Sequence, residues 1–295
     1  MLKPKGIITP IITPMNADES INEKELRHQV NRLIDSGIYG IFALGTNGEV
    51  YAMTNDEKLE VLRIVVDEVN HRIPVYAGTG CVGTKHTVEL SREAEKIGVD
   101  ALSIVSPYYV GLSQNDIYRH YSTIAQAVDL PIILYNIPAR TGNNIDYKTV
   151  AKLAQYENII GIKDSSGNFD NTLRFIENTD RRLCILAGND SLILWTLLAG
   201  GTGAIAGWSN VYPKLLLDIY HLWAKGEITA ANEKQASIRP LRDIMKMGNP
   251  NSVVKRAMDL LGYDVGPVRE PASAATEAID EALKKIFPMY MQYKD

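Results

Sequence analysis

Cysteine is nearly missing from this chain of 295 residues: there are two, Cys81 and Cys184, far apart in sequence. That excludes a disulfide framework and points to reduced thiols and a cytoplasmic location. Histidine is sparse as well. The five histidines, at 28, 71, 86, 120 and 221, show no ligand spacing such as HExxH, so no metal site is expected. No apolar run reaches the roughly 18 residues needed to cross a bilayer. The start, Met1 to Gly6, carries no apolar signal core ahead of the first strand. A large charge of either sign is lacking. The net charge is −4 and the pI about 5.8, which argues against nucleic acid or an anionic membrane as the main partner. What the chain does have is 45% hydrophobic and 22% charged residues, enough for a sizeable core and too apolar for disorder.

Short apolar runs rich in β-formers recur along it. They begin near Gly6, Ile38, Pro74, Ala101, Pro131, Ile159, Leu183 and Gly203, spaced by about 28 residues, the length of one βα unit. Helical patterns lie between them. Ser20 and Glu23 read as a capping box ahead of an apolar stripe at Leu26, Val30, Leu33 and Ile34. Eight strands alternating with helices predict an α/β fold, a (β/α)8 TIM barrel over residues 1–224. An open doubly wound sheet in two domains is the alternative; the even spacing and the lack of a linker favour the barrel. After the eighth strand only helical patterns follow, including one from Ile228 to Met247 with a kink expected at Pro240. Residues 225–295 are expected to form a C-terminal helical domain.

Lys163 ends the apolar run Ile159-Ile160-Gly161-Ile162 and precedes Asp164-Ser165-Ser166-Gly167, read as the loop after the strand. A lysine at such a junction leaves its amine partly dry, and desolvation disfavours the ammonium and frees a nucleophile for a carbonyl. The bland alternative is a lysine that snorkels to solvent or pairs with Asp164. A barrel's active site lies at the carboxyl ends of its strands. Those ends gather Thr46-Asn47-Gly48-Glu49, Ser106-Pro107-Tyr108-Tyr109, Tyr135 to Gly142, Lys163, Gly188-Asn189-Asp190 and Gly207-Trp208-Ser209-Asn210. Hydroxyls, one amine and one guanidinium converge, a set suited to carbonyl chemistry with proton shuttling and a carboxylate substrate. Glu49 reads as a structural acid for backbone amides of its loop. Gly78-Thr79-Gly80-Cys81-Val82-Gly83 fits GxGxxG after a strand. It is a weak dinucleotide signal, because no acid follows at a second strand's end.

The motifs Gly45-Thr46-Asn47-Gly48-Glu49, Pro107-Tyr108-Tyr109, Tyr135-Asn136-Ile137-Pro138-Ala139-Arg140-Thr141-Gly142 and Gly161-Ile162-Lys163-Asp164, in this order, resemble the dihydrodipicolinate synthase / N-acetylneuraminate lyase family, and nearly the whole chain is covered. The resemblance implies a lyase or synthase that needs no cofactor and works through a covalent imine of Lys163 with pyruvate or another 2-oxo acid. By the same resemblance Tyr135 carries protons beside the imine, and Thr46 and Tyr109 relay them to solvent. Tyr109 would reach into a neighbouring subunit, which implies a homo-oligomer, a dimer or tetramer. The backbone at Thr46 and Asn47 would hold the 2-oxo acid carboxylate. Ile205 would turn its carbonyl to the lysine, and Gly188 and Trp208 would border the substrate.

Two departures bear on the aldehyde partner. Asn47 stands where the synthases of the family usually carry a second threonine, and resembles the 4-hydroxy-2-oxoglutarate aldolase branch. Arg140 resembles the synthases, where it meets the carboxylate of aspartate semialdehyde. Asn55, Lys58, Val82 and His86 stand where the family's lysine feedback site has histidines, asparagine and an acid, so feedback by lysine is not expected. The first expectation is therefore a dihydrodipicolinate-synthase-like enzyme. The alternative is a catabolic aldolase for a 4-hydroxy-2-oxo acid or a 2-keto-3-deoxy sugar acid.

Overall fold

The computed structural model describes residues 2–294. Its eight strands are β1 (Gly6–Thr9), β2 (Gly40–Ala43), β3 (Val75–Ala77), β4 (Ala101–Val105), β5 (Ile132–Asn136), β6 (Ile159–Asp164), β7 (Cys184–Ala187) and β8 (Gly203–Ile205). All pair in parallel and in sequence order, and β8 returns to β1 through Gly6↔Gly203, so the sheet closes. Helices lie between successive strands, as the spacing of the apolar runs predicts: the fold is a TIM barrel.

Burial explains why these runs form strands. Almost every strand residue is buried, since one face meets the lumen and the other meets the helices. A ring of Ile8, Phe42, Tyr76, Ile133, Ile160, Leu186 and Ile205 fills the lumen. A second and larger core lies between barrel and helices. It also takes in Val253, Met258 and Leu283 from the C-terminal helices, so residues 225–295 share the barrel's core instead of building one of their own.

Two local expectations shift. The first helix, Glu23–Asp35, is capped by Asn22, whose side chain accepts from the Glu25 amide; Ser20 bonds Asp18 instead. At Pro240 the chain does not kink within one helix. Helix Ile228–Ser237 ends and helix Arg239–Met245 begins, with the proline in its first turn, where its missing N–H leaves no bond unmade. Among the described residues no helix is long and apolar enough to cross a membrane.

Candidate active site

The site begins with strand register. Tyr135 of β5 lies opposite Lys163 of β6, and Asn136 lies opposite Asp164. Strand β6 thus runs through Asp164, one residue beyond the end expected from sequence. The β5–β6 register shifts between Ile132 and Ile133, which leaves Ile160 as an extra residue in β6. Ile159 and Ile162 accordingly pack outward on the helices while Ile160 faces the lumen. Unbroken alternation from Ile160 would send Lys163 outward; the bulge turns it in. Asp164 points the other way, where it accepts bonds from the Ser166 amide, the Thr172 hydroxyl and Asn136 Nδ2. It is not a partner of Lys163.

Lys163 is 4% exposed. Its Nζ lies 4.1 Å from the centre of the Tyr135 ring and 5.4 Å from that of Phe42. The Tyr135 hydroxyl is 3.2 Å from Thr46 Oγ1. Burial alone would push this phenol up. The charge of Lys163, with hydrogen bonds from Thr46, Lys163 and Ser165, outweighs burial and holds it below its ordinary value. A phenol so placed beside an amine can exchange a proton with it.

A cavity of about 410 Å³ opens above this pair, lined by Thr46, Asn47, Tyr135, Arg140, Lys163, Ser165, Gly188 and Ile205, among others. A Cβ on Gly188 would stand 2.0 Å from Ser165 Oγ and 3.0 Å from Lys163 Cε, so only glycine lets that loop approach the amine. Arg140 sits on the short helix Pro138–Thr141, whose proline occupies the first turn, and it is exposed at the mouth. It also borders a second cavity of about 340 Å³, shared with Thr46, Tyr51, Lys58 and Tyr108.

Two expected residues are not brought here within one chain. Tyr109 is 94% exposed, in a loop where its φ is +78°. Trp208 is fully buried in the outer core. The turn Gly207–Asn210 sends its indole away from the cavity, and its amide N–H donates to Asp190 Oδ2 at 3.0 Å. The expectation that Trp208 borders the substrate is therefore corrected.

A family model described as the dihydrodipicolinate synthetase family matches residues 3–289. The chain belongs to this family. A 4-hydroxy-tetrahydrodipicolinate synthase from Methanopyrus kandleri is 41% identical over 284 residues, 95% of this chain and 94% of that protein. The structure of a 4-hydroxy-tetrahydrodipicolinate synthase from Methylacidiphilum fumariolicum superposes with a TM-score of 0.95 at 33% identity, covering 99% of this chain and 97% of that one. A prophage protein of the dihydrodipicolinic acid synthase family from E. coli K12, solved in complex with pyruvate, gives 0.94 at 31% identity over 97% and 98% of the two chains.

Membership in the dihydrodipicolinate synthetase family, whose members are pyruvate-dependent lyases, agrees with the resemblance carried by the motifs. The first glycine of the glycine-rich run after β3 serves packing. A Cβ on Gly78 would lie 2.0 Å from the Leu44 carbonyl oxygen, so this glycine permits close backbone contact after β2 and β3. Sequence reading missed a whole side of the site. Arg242, Met245, Lys246, Gly248, Pro250 and Asn251 all line the cavity that holds Lys163. The available signal was the cluster Gly248-Asn249-Pro250-Asn251, which breaks the helical pattern between Met245 and Pro250. Among the described residues no cluster of three or more His, Cys, Asp or Glu is placed to hold a metal ion.

Proposed function

We propose that this family member forms an imine between Lys163 and pyruvate and joins the resulting enamine to a carboxylate-bearing aldehyde, as a 4-hydroxy-tetrahydrodipicolinate synthase does with aspartate semialdehyde. The observation that carries the reading is the buried amine of Lys163 lying 4.1 Å from the Tyr135 ring, with the Tyr135 hydroxyl within reach of Thr46. The neutral amine attacks the ketone carbon of pyruvate. Its oxygen takes protons through Tyr135 and leaves as water. Loss of a methyl proton gives the enamine, whose carbon attacks the aldehyde carbonyl; hydrolysis of the new imine returns Lys163. No cofactor is needed, because the protonated imine is itself the electron sink.

Several observations support the choice of substrates. The Methanopyrus kandleri relative bears the synthase name, and the E. coli prophage protein was solved with pyruvate. Arg140 at the mouth suits an aldehyde with a carboxylate. Asn47, which lines the same cavity, favours the second reading, an aldolase for a 4-hydroxy-2-oxo acid or a 2-keto-3-deoxy sugar acid. The reading includes a homo-oligomer, a dimer or tetramer, in which Tyr109 completes the proton relay of a neighbour. The exposure of Tyr109 beside exposed Val110, with Tyr51 and Val82 also exposed, supports it. It includes a cytoplasmic location, supported by the free thiols Cys81 and Cys184.

Borohydride reduction in the presence of pyruvate tests the central step. One pyruvyl group per chain should be trapped, on the peptide that carries Lys163. Lys163→Arg should trap none and turn over nothing, because a guanidinium keeps its proton. Label on another lysine, or none in the wild type, would sink the reading.

A further inference from the structure

The loop that would hold the 2-oxo acid carboxylate is not held by the barrel alone. Within the loop, the Gly48 and Glu49 amides donate back to Gly45 and Thr46, and Thr13 Oγ1 donates to the Gly48 carbonyl. At Glu49 the backbone is left-handed, φ +58°, a conformation that a non-glycine residue keeps only with outside support. The support comes from the helix Pro250–Leu260 and the segment that follows it. The Glu49 carboxylate, fully buried, meets Lys255 Nζ at 2.6 Å; the lysine side chain is 3% exposed. Its other oxygen accepts the Arg269 amide N–H at 2.8 Å, and Lys255 Nζ also donates to the Pro267 carbonyl. Burial pushes the Lys255 ammonium below its ordinary value, and the Glu49 carboxylate opposes that push. On the other side of the loop, Asn251 Nδ2 donates to the Thr46 carbonyl at 2.8 Å and to the Tyr51 hydroxyl at 2.9 Å.

A buried ion pair is weak evidence for stability, because taking both charges out of water costs about as much as their attraction returns. Such a pair is informative when it fixes one geometry. Here it fixes Glu49, three residues beyond Thr46, while Asn251 fixes the Thr46 peptide itself. We propose that Lys255 and Asn251 are positioning residues: from the C-terminal helices they set the Thr46–Glu49 loop in the shape that receives the substrate carboxylate. Asn251 also borders the cavity, but its amide N–H groups go to the Thr46 carbonyl and the Tyr51 hydroxyl, and both residues act through the backbone of Thr46 and Asn47. The inference rests on the pyruvate-imine reading above.

The test is the pyruvate concentration that half-saturates borohydride trapping at Lys163, read beside the urea midpoint of each variant. Asn251→Ala buries no lone charge. The double variant Glu49→Gln with Lys255→Met removes both charges and leaves none unpaired. Both should fold and should need roughly tenfold more pyruvate for half-saturation, with trapping at saturation still complete. A packing role alone would lower the urea midpoint and leave half-saturation unchanged, and that result would overturn the proposal. Lys255→Arg should restore a near-normal half-saturation only if the cation is what fixes Glu49. Absence of trapping in the wild-type protein would instead remove the underlying pyruvate reading, so the two failures are told apart.

Discussion

In the proposed reaction, Arg140 is the residue on which the choice of aldehyde would turn. It is exposed on a four-residue helix that begins with Pro138, and it reaches both the cavity above Lys163 and its neighbour. A guanidinium so placed can grip a carboxylate by two bonds without taking part in imine formation. Such a charge-assisted contact is worth about 1.5–3 kcal/mol, or roughly 10–150-fold in kcat/KM. Arg140→Ala should lose that much on aspartate semialdehyde and little on a neutral aldehyde such as glyceraldehyde, with pyruvate trapping intact. Equal losses on both aldehydes would mean that Arg140 supports its loop, and the sugar-acid aldolase reading would then lead. Lys163 and Tyr135 were legible as residues, because each follows directly on an apolar run whose end could be read, and Arg140 through the motif that continues from Tyr135. Trp208 was not: a four-residue turn decides whether an indole faces the cavity or the core, and nothing in Gly207-Trp208-Ser209-Asn210 states which.

At the scale of elements, the pairing of β5 with β6 brings together the two residues that the proposed chemistry needs. The extra residue at Ile160 reverses the alternation of β6, and Gly161 allows the close approach that follows, since a Cβ there would meet the Cys184 carbonyl oxygen at 2.6 Å. Lys163 then stands opposite Tyr135 on the lumen side. Removal of the hydroxyl alone, in Tyr135→Phe, keeps the ring and the register. It should slow turnover by about 10²–10⁴-fold, the usual loss for one positioned acid–base group. A near-normal rate would make Tyr135 a packing residue. Apolar spacing revealed eight strands and the helices between them, because burial of both strand faces and one helix face is written in residue type. It did not reveal the bulge, since a run of Ile159-Ile160-Gly161-Ile162 is apolar at every position and carries no phase. Nor did it reveal the true cap of the first helix. Ser20 and Asn22 are both good cap residues, and the structure uses Asn22, the residue just after the bridge between Met15 and Ile21. The C-terminal helices were legible as helices, yet their contact with residues 46–49 joins positions about 200 apart, and no local pattern encodes it.

For the whole molecule, acid is the weak direction. His120 is 4% exposed, its Nδ1 lies 2.9 Å from Thr84 Oγ1 and its Nε2 has no partner. Burial holds its pKa near 4, against an ordinary 6.5. Above pH 6.5 the imidazole is neutral folded or unfolded. As the pH falls from about 6.5 to about 4, the unfolded chain takes up a proton that the folded chain refuses, so stability is lost across that window, on the order of 3 kcal/mol in full. Glu57 follows lower down. Its bond to Arg269 holds it near 2, and the stability this gives is present above about 4.5 and lost as the pH falls through 2. Urea midpoints should therefore fall steadily from pH 7 to pH 4.5, and His120→Gln should flatten that slope. An unchanged slope in the variant would show that His120 is not the group responsible. The bond from the Arg269 amide to Glu49 spans 220 residues. At roughly 5–20 residues per second on the ribosome, the Thr46 loop waits about 10–45 s for that partner to be made. A nascent barrel with all eight strands emerged would still lack the partners of Glu49 and Thr46, so the shape of that loop is withheld until the segment from Asn251 to Arg269 has been made.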